Sequence, residues 1–120
     1  MDMQVIEDVL KEIETIKENN TLVIVEGSND KKALEELGVS NIIILNGKPL
    51  YRLVESITAK EAIILTDLDE EGKKLYHNVK HELQQKGVRI NDRLRLLLFK
   101  TELRQIEGLA NYIRRITNGI

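Results

Sequence analysis

Three short apolar runs, each closed by an acidic or turn-forming residue and each followed by a segment of helical periodicity, constrain this chain more than any other feature. They are Thr21 to Val25 ending in Glu26-Gly27, Ile42 to Leu45 ending in Asn46-Gly47, and Ala62 to Thr66 ending in Asp67. Runs that are apolar throughout, rather than at alternate positions, predict strands buried on both faces, which requires helices on either side of a parallel sheet. The intervening segments supply those helices: Asp30 to Leu37 stopped by Gly38, Leu50 to Ile57 after Pro49, and about Gly72 to Gln85 stopped by Gly87. Ahead of the first run, Val5, Ile6, Val9, Leu10, Ile13 and Ile16 recur at helical spacing, predicting an amphipathic helix that ends near Asn19-Asn20 and covers one sheet face. Leu94 to Phe99 reads as a fourth strand, at an edge or half-exposed. Leu103 to Ile116 reads as a last helix ended by Asn118-Gly119, with Ile106 to Ile120 peripheral. The expected fold class is a three-layer α/β sandwich, Rossmann-like, around a mainly parallel sheet of about four strands.

At 120 residues and 42% apolar content, the chain can bury one core and is too short for two. A single domain is expected: an N-terminal helix over 1–20, a βα core over 21–100 and a C-terminal helix over 101–120. Aromatics are only 3% of the residues, so stacking platforms for bases are scarce. The absence of cysteine excludes disulfides, thiolate zinc sites and cysteine nucleophiles, and fits a cytoplasmic protein. No apolar run approaches the length of a membrane span, so no membrane partner is expected. The net charge of −2 argues against bulk polyanion binding, but the charge is uneven. Six acids face two bases from Met1 to Asn20, whereas eight Lys or Arg face three acids from Lys86 to Ile120. Such a basic end is either a solvated helix face or a surface that meets phosphates.

In an open parallel sheet, ligands bind at the carboxyl ends of the strands, and three acids fall there: Glu26, Asp67 and Asp69. Side chains two apart in an extended segment point the same way, so Asp67 and Asp69 are expected to present oxygens to one point. A hard cation such as Mg²⁺, with Mn²⁺ as a substitute, relieves the repulsion between crowded carboxylates and keeps positions open for water and phosphate. Gly27 permits a tight turn after the glutamate, and Gly72 a close backbone approach at the next helix. A lone D-x-D is weak evidence, because acids in βα loops often cap helices. The combination of two apolar strands, one running into Glu26-Gly27 with Asp30 three residues on and the other into Asp67-Leu68-Asp69 with Gly72 following, is more specific.

Those two patterns, E-G-x-x-D as Glu26-Gly27-Ser28-Asn29-Asp30 and D-x-D-x-x-G as Asp67-Leu68-Asp69-Glu70-Glu71-Gly72, resemble the signatures of the Toprim family of metal-dependent nucleic-acid enzymes. Leu45-Asn46-Gly47 and Thr66-Asp67 look most like the Toprim domain of the ribonucleases that mature 5S ribosomal RNA. The resemblance implies Mg²⁺ held by Asp67 and Asp69, Glu26 as general acid or base and as a further metal-site acid, Asp30 in support, and a nuclease whose nucleic-acid partner is RNA rather than DNA. Topoisomerase and primase activities, which need further domains, are not expected of 120 residues. Two rivals stand beside this. One is a non-catalytic module that holds metal, nucleic acid or a larger protein or ribonucleoprotein partner. The other is a receiver-like domain with Asp67 as phosphoacceptor, which explains Glu26-Gly27 poorly.

Among other residues, Lys31, Lys32, Lys73 and Lys74 lie in first turns of helices near the acids and are candidate phosphate contacts. Ser28 or Asn29 is expected to cap the helix after Glu26, and Asn46 and Gly47 to form a turn, which rims the site only if the fold brings it there. His77 and His81, four apart, read as a solvated helix face, Glu107 as a surface acid, and Tyr51, Tyr76 and Tyr112 as half-buried helix residues. Arg93, Arg95, Arg104, Arg114 and Arg115 form a substrate track only if they share the face that carries the acids.

Overall fold

The computed structural model describes residues 3–118. Along the chain run α1 (Met3–Asn19), β1 (Leu22–Val25), α2 (Ser28–Glu36), β2 (Ile42–Ile44), α3 (Leu50–Ser56), β3 (Glu61–Leu65), α4 (Glu70–Gln85), β4 (Arg89–Ile90), α5 (Arg93–Phe99), a 3₁₀ turn (Ile106–Gly108) and α6 (Leu109–Asn118). Met1 and Asp2, expected within the first helix, and Gly119, expected to stop the last, lie outside the described residues.

The four strands form one all-parallel sheet in the order β2-β1-β3-β4. Every residue of β1 is buried, as the continuous apolar run requires, whereas Ile42–Ile44 of β2, expected to be buried alike, is only half-buried because it lies at the sheet edge. Alternate strand residues feed two cores. Val23, Val25, Ile63 and Leu65 pack with Val9, Ile13 and Ile16 of α1, Leu34 of α2, Leu94 and Leu98 of α5 and Leu109 and Ile113 of α6. Leu22, Ile24, Ala62 and Ile64 pack against Leu53 and Val54 of α3 and Tyr76, Val79 and Leu83 of α4. This is the expected three-layer sandwich.

Beyond α4 the structure departs from expectation. Leu94 to Phe99 is helical, and the fourth strand is the two-residue Arg89–Ile90 pairing with Glu61 and Ala62. Leucine and arginine are good helix formers without the β-branching that favours strands, and Leu94 and Leu98, four apart, both reach the core. The last helix begins at Leu109 rather than Leu103, because Gln105 is extended and the Leu68 amide donates to the Arg104 carbonyl at 2.8 Å. Nor is the segment from Ile106 peripheral: Ile106 is 0% exposed, and Leu109, Ala110, Tyr112 and Ile113 are buried.

The strand order positions the site. From β1 the chain crosses to β2 on one side and then returns to β3 on the other, so the β1/β3 junction is the topological switch point where a crevice opens at the carboxyl edge. Val25 is level with Leu65, which sets Glu26 beside the Thr66-Asp67 pair.

Candidate metal and phosphate site

Glu26 and Asp67 meet at that crevice. The Asp67 amide donates to Glu26 Oε2 at 2.7 Å, so the first residue past β1 is tied to the segment that leaves β3. Burial pushes the Glu26 carboxyl above its ordinary value; the Asp67 amide opposes this, and the charges of Asp67, Asp30 and Asp69 add to it. Asp30, 7% exposed, accepts from the Gly27 amide at 3.0 Å and is also raised, first by burial and then by Asp67 and Glu107. Asp30 therefore ties the start of α2 back to Gly27, which is itself the N-cap, and neither Ser28 nor Asn29, expected to cap this helix, supplies a side-chain cap.

Asp67 and Asp69 are each clasped by a different backbone group. Asp67 Oδ1 accepts from the Ile106 amide at 2.9 Å, and Asp69 Oδ1 caps α4 by accepting from the Gly72 amide at 2.8 Å, with the buried Leu68 between them. Among the described residues no three His, Asp or Glu side chains form a ready-made metal cage. The donor set nevertheless suits Mg²⁺, which is commonly held by one or two carboxylates, waters and substrate phosphates. Glu26, Asp67 and Asp69 are each anchored through one oxygen, and their mutual repulsion is what a cation offsets. Such an ion would act as a Lewis acid on a phosphoryl oxygen.

Gly72 is built into this edge. A Cβ there would lie 1.9 Å from the Asp67 carbonyl oxygen, and the buried Thr66 hydroxyl donates to the Gly72 carbonyl at 2.7 Å. Gly27 faces Asn46, whose amide nitrogen would be 3.4 Å from an added Cβ, so the Asn46-Gly47 turn does rim the site; Gly47 has φ +86°.

The basic residues divide. Lys32 lines a cleft of about 400 Å³ with Asn29, Glu36, Glu107 and Asn111, whereas Lys31 is half-buried. Lys73 pairs with Glu70 and lies over the Phe99 ring, in a different cleft formed with Tyr76 and Arg95, and Lys74 is exposed. The five arginines do not form one track. Arg93 pairs with Glu12 and Arg114 with Glu36, while Arg104 and Arg115 line a cleft that includes Asp69. His77 and His81 are exposed, Tyr76 and Tyr112 are buried, and Tyr51, expected to be half-buried, is 61% exposed.

Arg95 has a role the sequence does not suggest. It is 3% exposed and donates to the carbonyls of Ile64 (3.4 Å), Thr66 (2.7 Å) and Asp67 (3.2 Å), with its guanidinium 4.4 Å from the Tyr76 ring centroid. It closes the otherwise open carbonyl end of β3 directly beneath the acids. Burial lowers its pKa, against which Tyr76, Asp92, Glu26 and Asp67 act. The only signal in the sequence is an arginine flanked by leucines. Arg95→Leu is expected to cost about 1.5–3 kcal/mol, because carbonyls paired with a charged donor are left without it. Urea denaturation checks this, and an unchanged midpoint would show the carbonyls to be satisfied otherwise.

Residues 20–92 match the Toprim domain model. The chain belongs to the Toprim family. This Toprim protein is 31% identical over 115 residues to a UPF0292 protein of Methanocaldococcus jannaschii, covering 90% of this chain and 89% of the relative. A UPF0292 protein of Pyrococcus abyssi is 32% identical over 110 residues, covering 88% and 83%. A solved structure of a protein from Aquifex aeolicus superposes with a TM-score of 0.77 at 30% identity, covering 85% of this chain and 95% of that one. Toprim domains generally bind divalent metal ions, which ties this small UPF0292-family protein to metal-dependent nucleic-acid chemistry. No helix among the described residues is long and apolar enough to cross a membrane.

Proposed function

We propose that this Toprim protein is a cytoplasmic, Mg²⁺-dependent nuclease, with RNA as its substrate, Mn²⁺ as a substitute ion, and one catalytic domain. The observation that carries the reading is the hydrogen bond that the Asp67 amide donates to Glu26 Oε2, which joins the two signature acids at the switch point of the sheet. Asp67 and Asp69 would hold the cation, which would supply Lewis-acid stabilisation of the charge that develops on the phosphodiester. Glu26, whose raised pKa suits proton exchange nearer neutrality than an ordinary glutamate, moves a proton for the attacking water or the leaving group. The kinship to 5S ribosomal RNA maturases belongs to this proposal and rests on the motifs alone. Incubating native protein and Asp67→Ala with Mg²⁺ or Mn²⁺ and a panel of structured RNAs and single- and double-stranded DNAs tests it. Cleavage by the native protein, lost in Asp67→Ala, is expected. Cleavage that survives Asp67→Ala, or that is absent on every substrate, would overturn the nuclease reading.

A second reading, a non-catalytic module that holds nucleic acid or a larger protein, is favoured by the clasping of Asp67 and Asp69 by backbone amides, a structural use of both carboxylates. Metal binding without hydrolysis is its mark.

A further inference from the structure

We propose that the cleft running from Asp69 to Arg115 is a groove for a single-stranded end of nucleic acid, its backbone phosphates held by Arg104 and Arg115. This assignment rests on the nucleic-acid reading of the acid site and gives that site its substrate class. The cleft measures about 500 Å³ and, apart from Asp69, is walled by residues between Glu102 and Arg115. All of these lie beyond the segment that matches the Toprim model, which ends at residue 92. The groove is thus built mainly by the loop, the 3₁₀ turn and α6 that follow the matched residues.

Its walls are suited to one strand. A volume in this range takes a ligand of small-molecule size, so a nucleotide or two of a single strand enters, whereas a paired duplex with its bases stacked inside does not. Arg104 is pre-oriented: one nitrogen, Nη1, donates to the carbonyls of Thr101 at 2.8 Å and Leu103 at 2.6 Å, and the remaining guanidinium N–H groups are left for a phosphate. The Arg115 guanidinium lies 5.5 Å from the Tyr112 ring centroid, an exposed planar cation backed by a buried ring. Guanidinium planes of this kind accept a splayed-out base as well as a phosphate. Neither arginine has a carboxylate partner among the described residues, unlike Arg93 and Arg114.

The groove also has a direction. Three acids, Asp69, Glu102 and Glu107, share its walls with the two arginines, and their charge repels a phosphate, so the strand seats with its phosphates against the arginines and reaches the acid site at Asp69. Glu107 and Asn111 also line the cleft that holds Asn29 and Lys32, so the path continues across the 3₁₀ turn towards the start of α2.

Fluorescence anisotropy with fluorescein-labelled single-stranded RNA, single-stranded DNA and a blunt duplex, in Ca²⁺ to limit turnover and over a range of salt, tests the groove. The variants are Arg104→Ala/Arg115→Ala and, with equal loss of charge elsewhere, Arg89→Ala/Arg93→Ala, whose side chains pair with Glu61 and Glu12 away from the groove. Native protein is expected to prefer single strands. The groove variant should bind them at least about tenfold more weakly, with a log–log salt slope smaller by about 1.4 for two lost phosphate contacts. The control should stay within about twofold of native protein. Native-like binding by the groove variant, or equal weakening of the control, overturns the groove while leaving the nucleic-acid reading in place. Preference for the duplex overturns the single-strand assignment. No binding of any nucleic acid by native protein removes the groove and the parent reading together. Should the double variant not fold, Arg115→Glu alone, at an exposed position, separates the same outcomes.

Discussion

Glu26→Gln should lower metal-dependent cleavage by about 10²–10⁴-fold and, in the metal-free protein at neutral pH, raise thermal stability rather than reduce it. Glutamine keeps a side-chain oxygen to accept from the Asp67 amide, so the tie between β1 and β3 survives, but it cannot exchange a proton. The stability change follows from the direction of the pKa shift. Burial, then Asp67, Asp30 and Asp69, raise the Glu26 carboxyl in the folded state above its ordinary 4.5, so the folded protein binds this proton more tightly than the unfolded chain. A raised carboxyl contributes most to stability below pH 4.5, and that contribution is lost as pH rises from there through the folded-state pKa. Asp30 is shifted in the same direction and adds to the effect. Ionised Glu26 is therefore a cost to the empty fold at neutral pH, one that a bound cation offsets and the neutral isostere removes. Melting curves in EDTA and cleavage at saturating Mg²⁺ measure the two effects separately. Undiminished cleavage would dispose of the proton-transfer role, and a lower melting temperature would make Glu26 a structural tie instead.

The largest loss of stability is expected from Gly72→Ala. An added Cβ would lie 1.9 Å from the Asp67 carbonyl oxygen, 2.4 Å from its carbon and 2.8 Å from its Cα, and these are backbone atoms that no rotamer change can move aside. Overpacking a core where side chains can yield costs about 1–3 kcal/mol. Here the start of α4 must part from the end of β3, breaking the Gly72 bonds to Asp69 and Thr66, so about 3–5 kcal/mol is expected, at the exceptional end for one substitution. The acids move with that junction, and metal affinity should fall with stability. Gly87→Ala provides the contrast: its φ of +92° strains an alanine, but nothing lies within 4 Å of the added carbon, and about 1–2 kcal/mol covers the cost. Urea midpoints for the two variants decide the matter. If Gly72→Ala proved no worse than Gly87→Ala, the close approach of α4 to β3 would be wrong.

The strands β1, β2 and β3 and the acids at their ends are legible in the sequence because the signals are local: a fully apolar run bounded by turn residues reads as a buried strand whatever lies beside it. Leu94 to Phe99 misleads for the same reason. Over so short a span a leucine-rich run satisfies strand and helix patterns alike, and the helix is settled by the core that Leu94 and Leu98 enter together. Asp69, expected to stand with Asp67 over one cation, also caps α4 through Oδ1, a use that short acidic residues at helix starts commonly find. Arg95 reads as one more surface arginine because nothing near it in the chain announces the carbonyls of β3, which lie about thirty residues earlier. Tyr51 fails in the opposite way, since Leu53 and Val54 of the same helix are buried and it is not.

By itself the sequence determined the βα alternation, the two-sided burial of β1 and β3 and which acids stand at their carboxyl ends, since all three depend on periodicity and residue type within a few positions. Only the tertiary structure decided the order β2-β1-β3-β4, because strand partners are chosen by packing between segments far apart in the chain. That order sets β1 beside β3 and brings Glu26 to the amide of Asp67, 41 residues on. It also lets Ile106 return to clasp Asp67, which is why a C-terminal segment that reads as peripheral forms one wall of the site.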